Sequence, residues 1–127
     1  MGLLLGMHKI LLVEDDPFLS SLLKNRLIKE GFDVILAKDG DEASKLLKTS
    51  NVELVLLDII LPKKSGFELM DELREDPQLE KTKVMIISNL GQPEDVTRGR
   101  QSGAIEYFIK AKTSIDELVA RIKEIVR

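Results

Sequence analysis

The chain has no cysteine, which excludes disulfides, thiolate metal sites and thiol catalysis and is compatible with a reducing cytoplasm. It also lacks any long apolar run, so no segment approaches the length of a membrane span. The apolar opening from Met1 to Gly6 is too short for a signal-peptide core, and no basic residue precedes it. Gly6 stands where N-myristoylation would need Ser or Thr. Residues 1–7 are therefore expected to be a disordered or added leader, with one domain over residues 8–127. Basic residues are not in excess either. The formal net charge of -3 argues against a nucleic-acid-binding surface and points to protein partners. Linkers, repeats and low-complexity stretches are absent, and a domain of this size buries about two-thirds of its unfolded surface.

What is there is an alternation of short apolar runs and amphipathic segments. Lys9 to Val13 reads as a first strand that stops at Glu14-Asp15-Asp16-Pro17. Asp16 is placed to cap a helix whose first residue is Pro17, and Phe18, Leu19, Leu22, Leu23 and Leu27 follow at helical spacing up to Gly31. Asp33 to Ala37 is a second strand, Asp39-Gly40 a turn, and Ala43, Leu46 and Leu47 the face of a second helix. Leu54 to Leu57 are apolar without alternation, as expected of a strand covered on both faces, and Asp58 follows directly. Ser65 and Glu68 form a capping box for a third helix with Phe67, Met70 and Leu73 facing inward. Val84 to Ser88 is a fourth strand and Ala104 to Ile109 a fifth. Between them, Pro93 to Ser102 predicts a loosely held helix anchored mainly by Val96, with Gly99 inside it at a cost of about 0.5 to 1 kcal/mol relative to Ala. Ser114 and Glu117 open the last helix, which has the clearest apolar stripe, from Ile115 to Val126.

Five strands alternating with five helices predict an α/β fold: a doubly wound parallel sheet of flavodoxin-like order 2-1-3-4-5. Strands 1 and 3 are then neighbours where the winding reverses. Glu14, Asp15, Asp58, Ser88 and Lys110 all fall on one edge. Two carboxylates about 4 Å apart repel by roughly 4 kcal/mol at an effective dielectric near 20, so three together call for a cation. Oxygen ligands without His or Cys favour Mg2+. A hydroxyl and an ammonium beside them suit phosphoryl transfer to Asp58 as the attacking nucleophile, giving an aspartyl phosphate.

These residues also carry a resemblance. The acidic turn V-E-D-D-P, the segment L-L-D-I-I-L-P-K-K-S-G, I-I-S after strand 4 and G-A-I-E-Y-F-I-K at strand 5 resemble, in order and interval, the receiver domain of bacterial two-component response regulators. The resemblance covers the chain from about His8. It implies that Asp58 accepts a phosphoryl group from a histidine kinase or histidine phosphotransfer protein. Asp15, Asp58 and the Ile60 carbonyl would hold Mg2+ directly, and Glu14 through water. Lys110 and Ser88 would bind the phosphoryl group, and Ser88 and Tyr107 would form a coupled switch in which Tyr107 moves inward. Such a domain is not an enzyme toward other substrates; it catalyses only its own phosphorylation and slow dephosphorylation. It is expected in the cytoplasm, stand-alone in the manner of a chemotaxis regulator, with an output through the fourth helix, fifth strand and fifth helix that leaves room for a homodimer. Neither a nucleic acid nor a membrane is expected as a partner.

Two residues depart from the family pattern. Ala111 follows Lys110 where proline and a cis peptide are usual, and Asn89 stands where a small residue is common. Ile60 and Leu90, two residues beyond Asp58 and Ser88, cannot orient a hydrolytic water, which predicts a long-lived phosphorylated state. Two other readings stay open: a Mg2+-dependent phosphatase with an aspartyl intermediate, which Ile60 disfavours because a second acid usually stands there, and an interaction module that works unphosphorylated. A flavin or nucleotide carrier lacks its glycines after strand 1. His8, Lys63, Lys64, Arg98 and Arg100 read as structural or solvated.

Overall fold

The computed structural model describes residues 7–126, so the leader assigned to residues 1–7 lies, apart from Met7, outside the described residues. Five strands, β1 (Lys9–Val13), β2 (Asp33–Ala37), β3 (Leu54–Leu57), β4 (Lys83–Ser88) and β5 (Glu106–Ile109), alternate with five helices. These are α1 (Pro17–Lys29), α2 (Gly40–Thr49), α3 (Gly66–Glu75), α4 (Pro93–Gln101) and α5 (Ile115–Val126). All strand pairings are parallel and the sheet order is β2-β1-β3-β4-β5, as the pattern predicts.

Strand alternation divides the core in two. Leu11, Val13, Val55, Leu57 and Ile86 point to the face covered by α2, α3 and α4, where Leu47, Phe67, Met70 and Val96 meet them. Ile10, Leu12, Leu54, Leu56 and Met85 point to the opposite face, against Leu23 and Leu27 of α1 and Leu118 and Ile122 of α5. The register pairs Val13 with Leu57 and Leu57 with Ile86, so β1 and β3 run out together while β4 continues to Ser88. The ladder continues one residue further, with Asp58 N–H donating to the Val13 carbonyl at 3.1 Å and Glu14 N–H to that of Ala37 at 3.0 Å.

Helix starts follow the sequence chemistry. Asp16 accepts from the N–H groups of Phe18 and Leu19, and the Ser65/Glu68 and Ser114/Glu117 boxes are closed in both directions. Three expectations need correction. Phe18 and Leu22 are not core: they are 78% and 43% exposed, because α1 meets the sheet along Ser20, Leu23 and Leu27. Gly40 is no turn residue but the first of α2, capped by Asp39; a Cβ there would lie 2.4 Å from the Lys64 carbonyl oxygen, so close approach explains the glycine. The fifth strand begins at Glu106, because Ala104 N–H still closes the end of α4 by donating to the Gly99 carbonyl. No described peptide bond is cis; the chain after β5 turns as a 3-10 helix over Lys110–Lys112.

Candidate functional site

The strand ends bring Glu14, Asp15 and Asp58 together: each offers a carboxylate oxygen, and these lie within 4.8 Å of one another. Glu14 and Asp58 are 3% and 6% exposed, while Asp15 faces solvent. Lys110 bridges the two buried acids, with Nζ 2.8 Å from Glu14 Oε1 and 2.7 Å from Asp58 Oδ2. The second oxygen of each acid meets the main chain. Glu14 Oε2 accepts from Asp16 N–H at 3.1 Å and Asp58 Oδ1 from Ile60 N–H at 3.2 Å.

One ammonium among three carboxylates leaves the pocket electronegative, so a cation would be attracted to it. Burial pushes the Glu14 carboxyl above its ordinary range; the bonds from Lys110 and the Asp16 N–H oppose this, and the charge of Asp58 adds to it. Burial also pulls the Lys110 ammonium down, but its bonds to Asp58 and Glu14 win and hold it above the ordinary lysine value. Three hard oxygen donors, one of them solvent-facing, fit Mg2+, which keeps several waters. Lys110 reaches both acids although its peptide to Ala111 is trans.

Ser88 ends β4 fully buried, and its Oγ accepts from Leu90 N–H at 3.2 Å. Tyr107 is buried, and its hydroxyl donates to the Leu90 carbonyl at 2.6 Å. Its ring therefore stands inward already. Burial raises the phenol above its ordinary pKa, with the charge of Asp95 adding to the effect. The peptide groups of Leu90 thus join the serine to the tyrosine. Sequence reasoning missed that link, since a main-chain donor and acceptor leave no mark in residue type. Ile60 and Asn89 are exposed at the rim, and Leu90 is half-buried.

A doubly wound sheet with an acid cluster and a lysine at its topological switch point defines a class of ligand-binding α/β domains. The family profile described as the response regulator receiver domain matches residues 10–123. The chain is 46% identical over 121 residues to the transcriptional regulatory protein CpxR of Klebsiella pneumoniae, a match covering 95% of this chain and 50% of that protein. The receiver domain of Francisella response regulator 1452 superposes with a TM-score of 0.86 at 33% identity, covering 93% of this chain and 95% of that one. The response regulator TrrA of Thermotoga maritima, in complex with Mg2+ and BeF, gives 0.81 at 32% identity, covering 94% and 99%. The chain belongs to the response regulator receiver domain family. It spans about half the length of the curated relatives it matches. Among the described residues no helix is long and apolar enough to cross a membrane.

Proposed function

We propose that Asp58 accepts a phosphoryl group from the phosphohistidine of a histidine kinase or histidine phosphotransfer protein, and that this switches the surface of α4, β5 and α5. The observation that carries the reading is the Lys110 ammonium shared by Asp58 and Glu14 beside Asp15. An Asp58 carboxylate oxygen attacks phosphorus in line, the P–N bond breaks, and the departing imidazole takes a proton from solvent. Lys110 then exchanges its bond to Asp58 for one to a phosphoryl oxygen, and Ser88 supplies a further donor. Asp15, Asp58 and the Ile60 carbonyl would hold Mg2+, with Glu14 acting through water, and the ion would neutralise charge on the phosphoryl oxygens. That TrrA, a relative of the same fold, was solved in complex with Mg2+ and BeF supports a role for Mg2+ here.

The domain promotes its own phosphorylation and slow dephosphorylation and acts on no other substrate. Neither of the apolar side chains Ile60 and Leu90 aligns a hydrolytic water, so the acyl phosphate is long-lived; loss of the label within seconds overturns that. The setting is the cytoplasm. The output runs through a further segment of a longer chain, as in a transcriptional regulator such as CpxR, or through a separate protein or a second copy.

Intact mass after incubation with acetyl phosphate, with and without Mg2+, on the wild type and Asp58→Asn tests the chemistry without a partner. One phosphoryl adduct that requires both Mg2+ and Asp58 is expected. No adduct under any condition, with Mg2+ binding measured separately, transfers the reading to an interaction module that works unphosphorylated.

A further inference from the structure

α4 buries one residue, Gly99. Glycine is a poor choice inside a helix, and its backbone here is not in the left-handed region that would demand it. The reason lies in what covers it. A Cβ at this position would stand 2.7 Å from Cδ2 and 3.0 Å from Cε2 of Tyr107, and 2.8 Å from Cδ1 of Ile86. Contacts this short require something to move. Ile86 presents a terminal methyl that a rotamer change withdraws. Tyr107 presents the side of a rigid ring, and that ring is tied at its far end by the bond from its hydroxyl to the Leu90 carbonyl. The ring therefore has its inward place because residue 99 has no side chain.

The consequence reaches the phosphoacceptor edge. Leu90 receives the tyrosine hydroxyl on its carbonyl and gives its own N–H to Ser88 Oγ. The position of the ring, the orientation of the Leu90 residue and the direction of the serine hydroxyl are joined in series. Building on the coupled Ser88 and Tyr107 switch, we propose that Gly99 is a positioning residue: it keeps open the slot that the Tyr107 ring occupies when inward, and through Leu90 it sets the orientation of the Ser88 hydroxyl. Releasing the Leu90–Ser88 bond then frees the hydroxyl to turn toward the phosphate.

Tyr107 is the sole tyrosine and there is no tryptophan, so intrinsic fluorescence reports this ring alone. The test is acrylamide quenching of the unphosphorylated protein, wild type against Gly99→Ala, with thermal melts of both and of the same pair in a Tyr107→Ala background. The wild type is expected to resist quenching, and Gly99→Ala to be quenched several-fold more strongly, toward free N-acetyltyrosinamide. Gly99→Ala should lower Tm when Tyr107 is present and raise it when Tyr107 is alanine, where only helix propensity is left to act. Unchanged quenching overturns the proposal, as does an equal loss of Tm in both backgrounds, and the double variant keeps the test readable if Gly99→Ala alone does not fold. None of these readouts uses a phosphodonor, so failure of Asp58 to take a label in the wild type is seen separately from failure of the slot. Once labelling of the wild type is established, slower adduct formation in Gly99→Ala, by several-fold, is the expected trace of a misdirected Ser88.

Discussion

α4 and α5 flank the same edge of the sheet on opposite faces and are held in different ways. α5 buries Leu118, Val119, Ile122 and Val126 along one continuous seam, and Ser114 and Glu117 close its start. α4 buries only Gly99 and is held at separate points. Val96 packs on the core from a half-buried position, Arg98 sets its guanidinium 4.0 Å from the Phe67 ring centroid, and Arg74 of α3 binds the carbonyls that end the helix. An apolar seam fails as a whole, whereas point contacts release one at a time. A helix held by point contacts opens at low free energy without unfolding the domain, which suits a surface that responds to chemistry at the neighbouring strand ends.

The contrast breaks if the two helices answer alike to truncation. Ile122→Ala removes fully buried atoms from the α5 seam and is expected to cost about 2 to 5 kcal/mol in urea denaturation. Val96→Ala on α4 should cost no more than about 1 kcal/mol by the same measurement. Comparable losses would mean that α4 is part of the cooperative core. Arg74 comes next in size. Its guanidinium donates to the carbonyls of Glu80 and Thr82 at 2.6 and 3.0 Å and to those of Ser102 and Gly103 at 3.4 and 3.1 Å, clamping the end of α4 to the turn before β4. Burial lowers its pKa without threatening its charge. Arg74→Met is expected to cost about 1 to 3 kcal/mol and to speed amide exchange around Ser102 and Gly103 while leaving α5 protected. A uniform rise in exchange would show the clamp to be general packing.

The clamp also shows where sequence reading stops. β1 and β2 were legible to the residue, because each apolar run is bounded by charge or glycine, and the strand order followed from the alternation of elements. Glu14, Asp15, Asp58 and Lys110 were legible as a group because parallel topology forces strand ends onto one edge. Arg74 and Leu90 were not, since their partners are carbonyls and amides that every residue carries. Gly99 was visible but read only as a cost to the helix, when the deciding fact was an aromatic from another strand lying on it. Phe18 and Leu22 repeat at helical spacing yet face out, because periodicity finds an apolar stripe without saying how much of it the sheet covers.

The smallest effect expected lies between α2 and α3, on the same face as α4 but fastened by charge. Lys64 Nζ donates to Glu72 and, at 2.9 Å, to Ser44 Oγ, and that hydroxyl donates to Glu72 Oε1 at 2.8 Å. Partial burial acts to raise the Glu72 carboxyl, but the bonds from Lys64 and Ser44 prevail and hold it below its ordinary value. A carboxyl lowered in the folded state contributes stability above its unfolded pKa and loses it as pH falls through the folded one. The advantage of the wild type over Glu72→Gln should therefore be complete near neutral pH and fade in acid. With 41% of the Glu72 side chain exposed, solvent screening keeps the advantage below about 1 kcal/mol. Paired urea midpoints for the two proteins at about pH 7 and about pH 3 read it directly. A gap that persists in acid would make the tie one of hydrogen bonding and packing, and α2 and α3 would then belong with the seam-held α5 in the comparison rather than with the point-held α4.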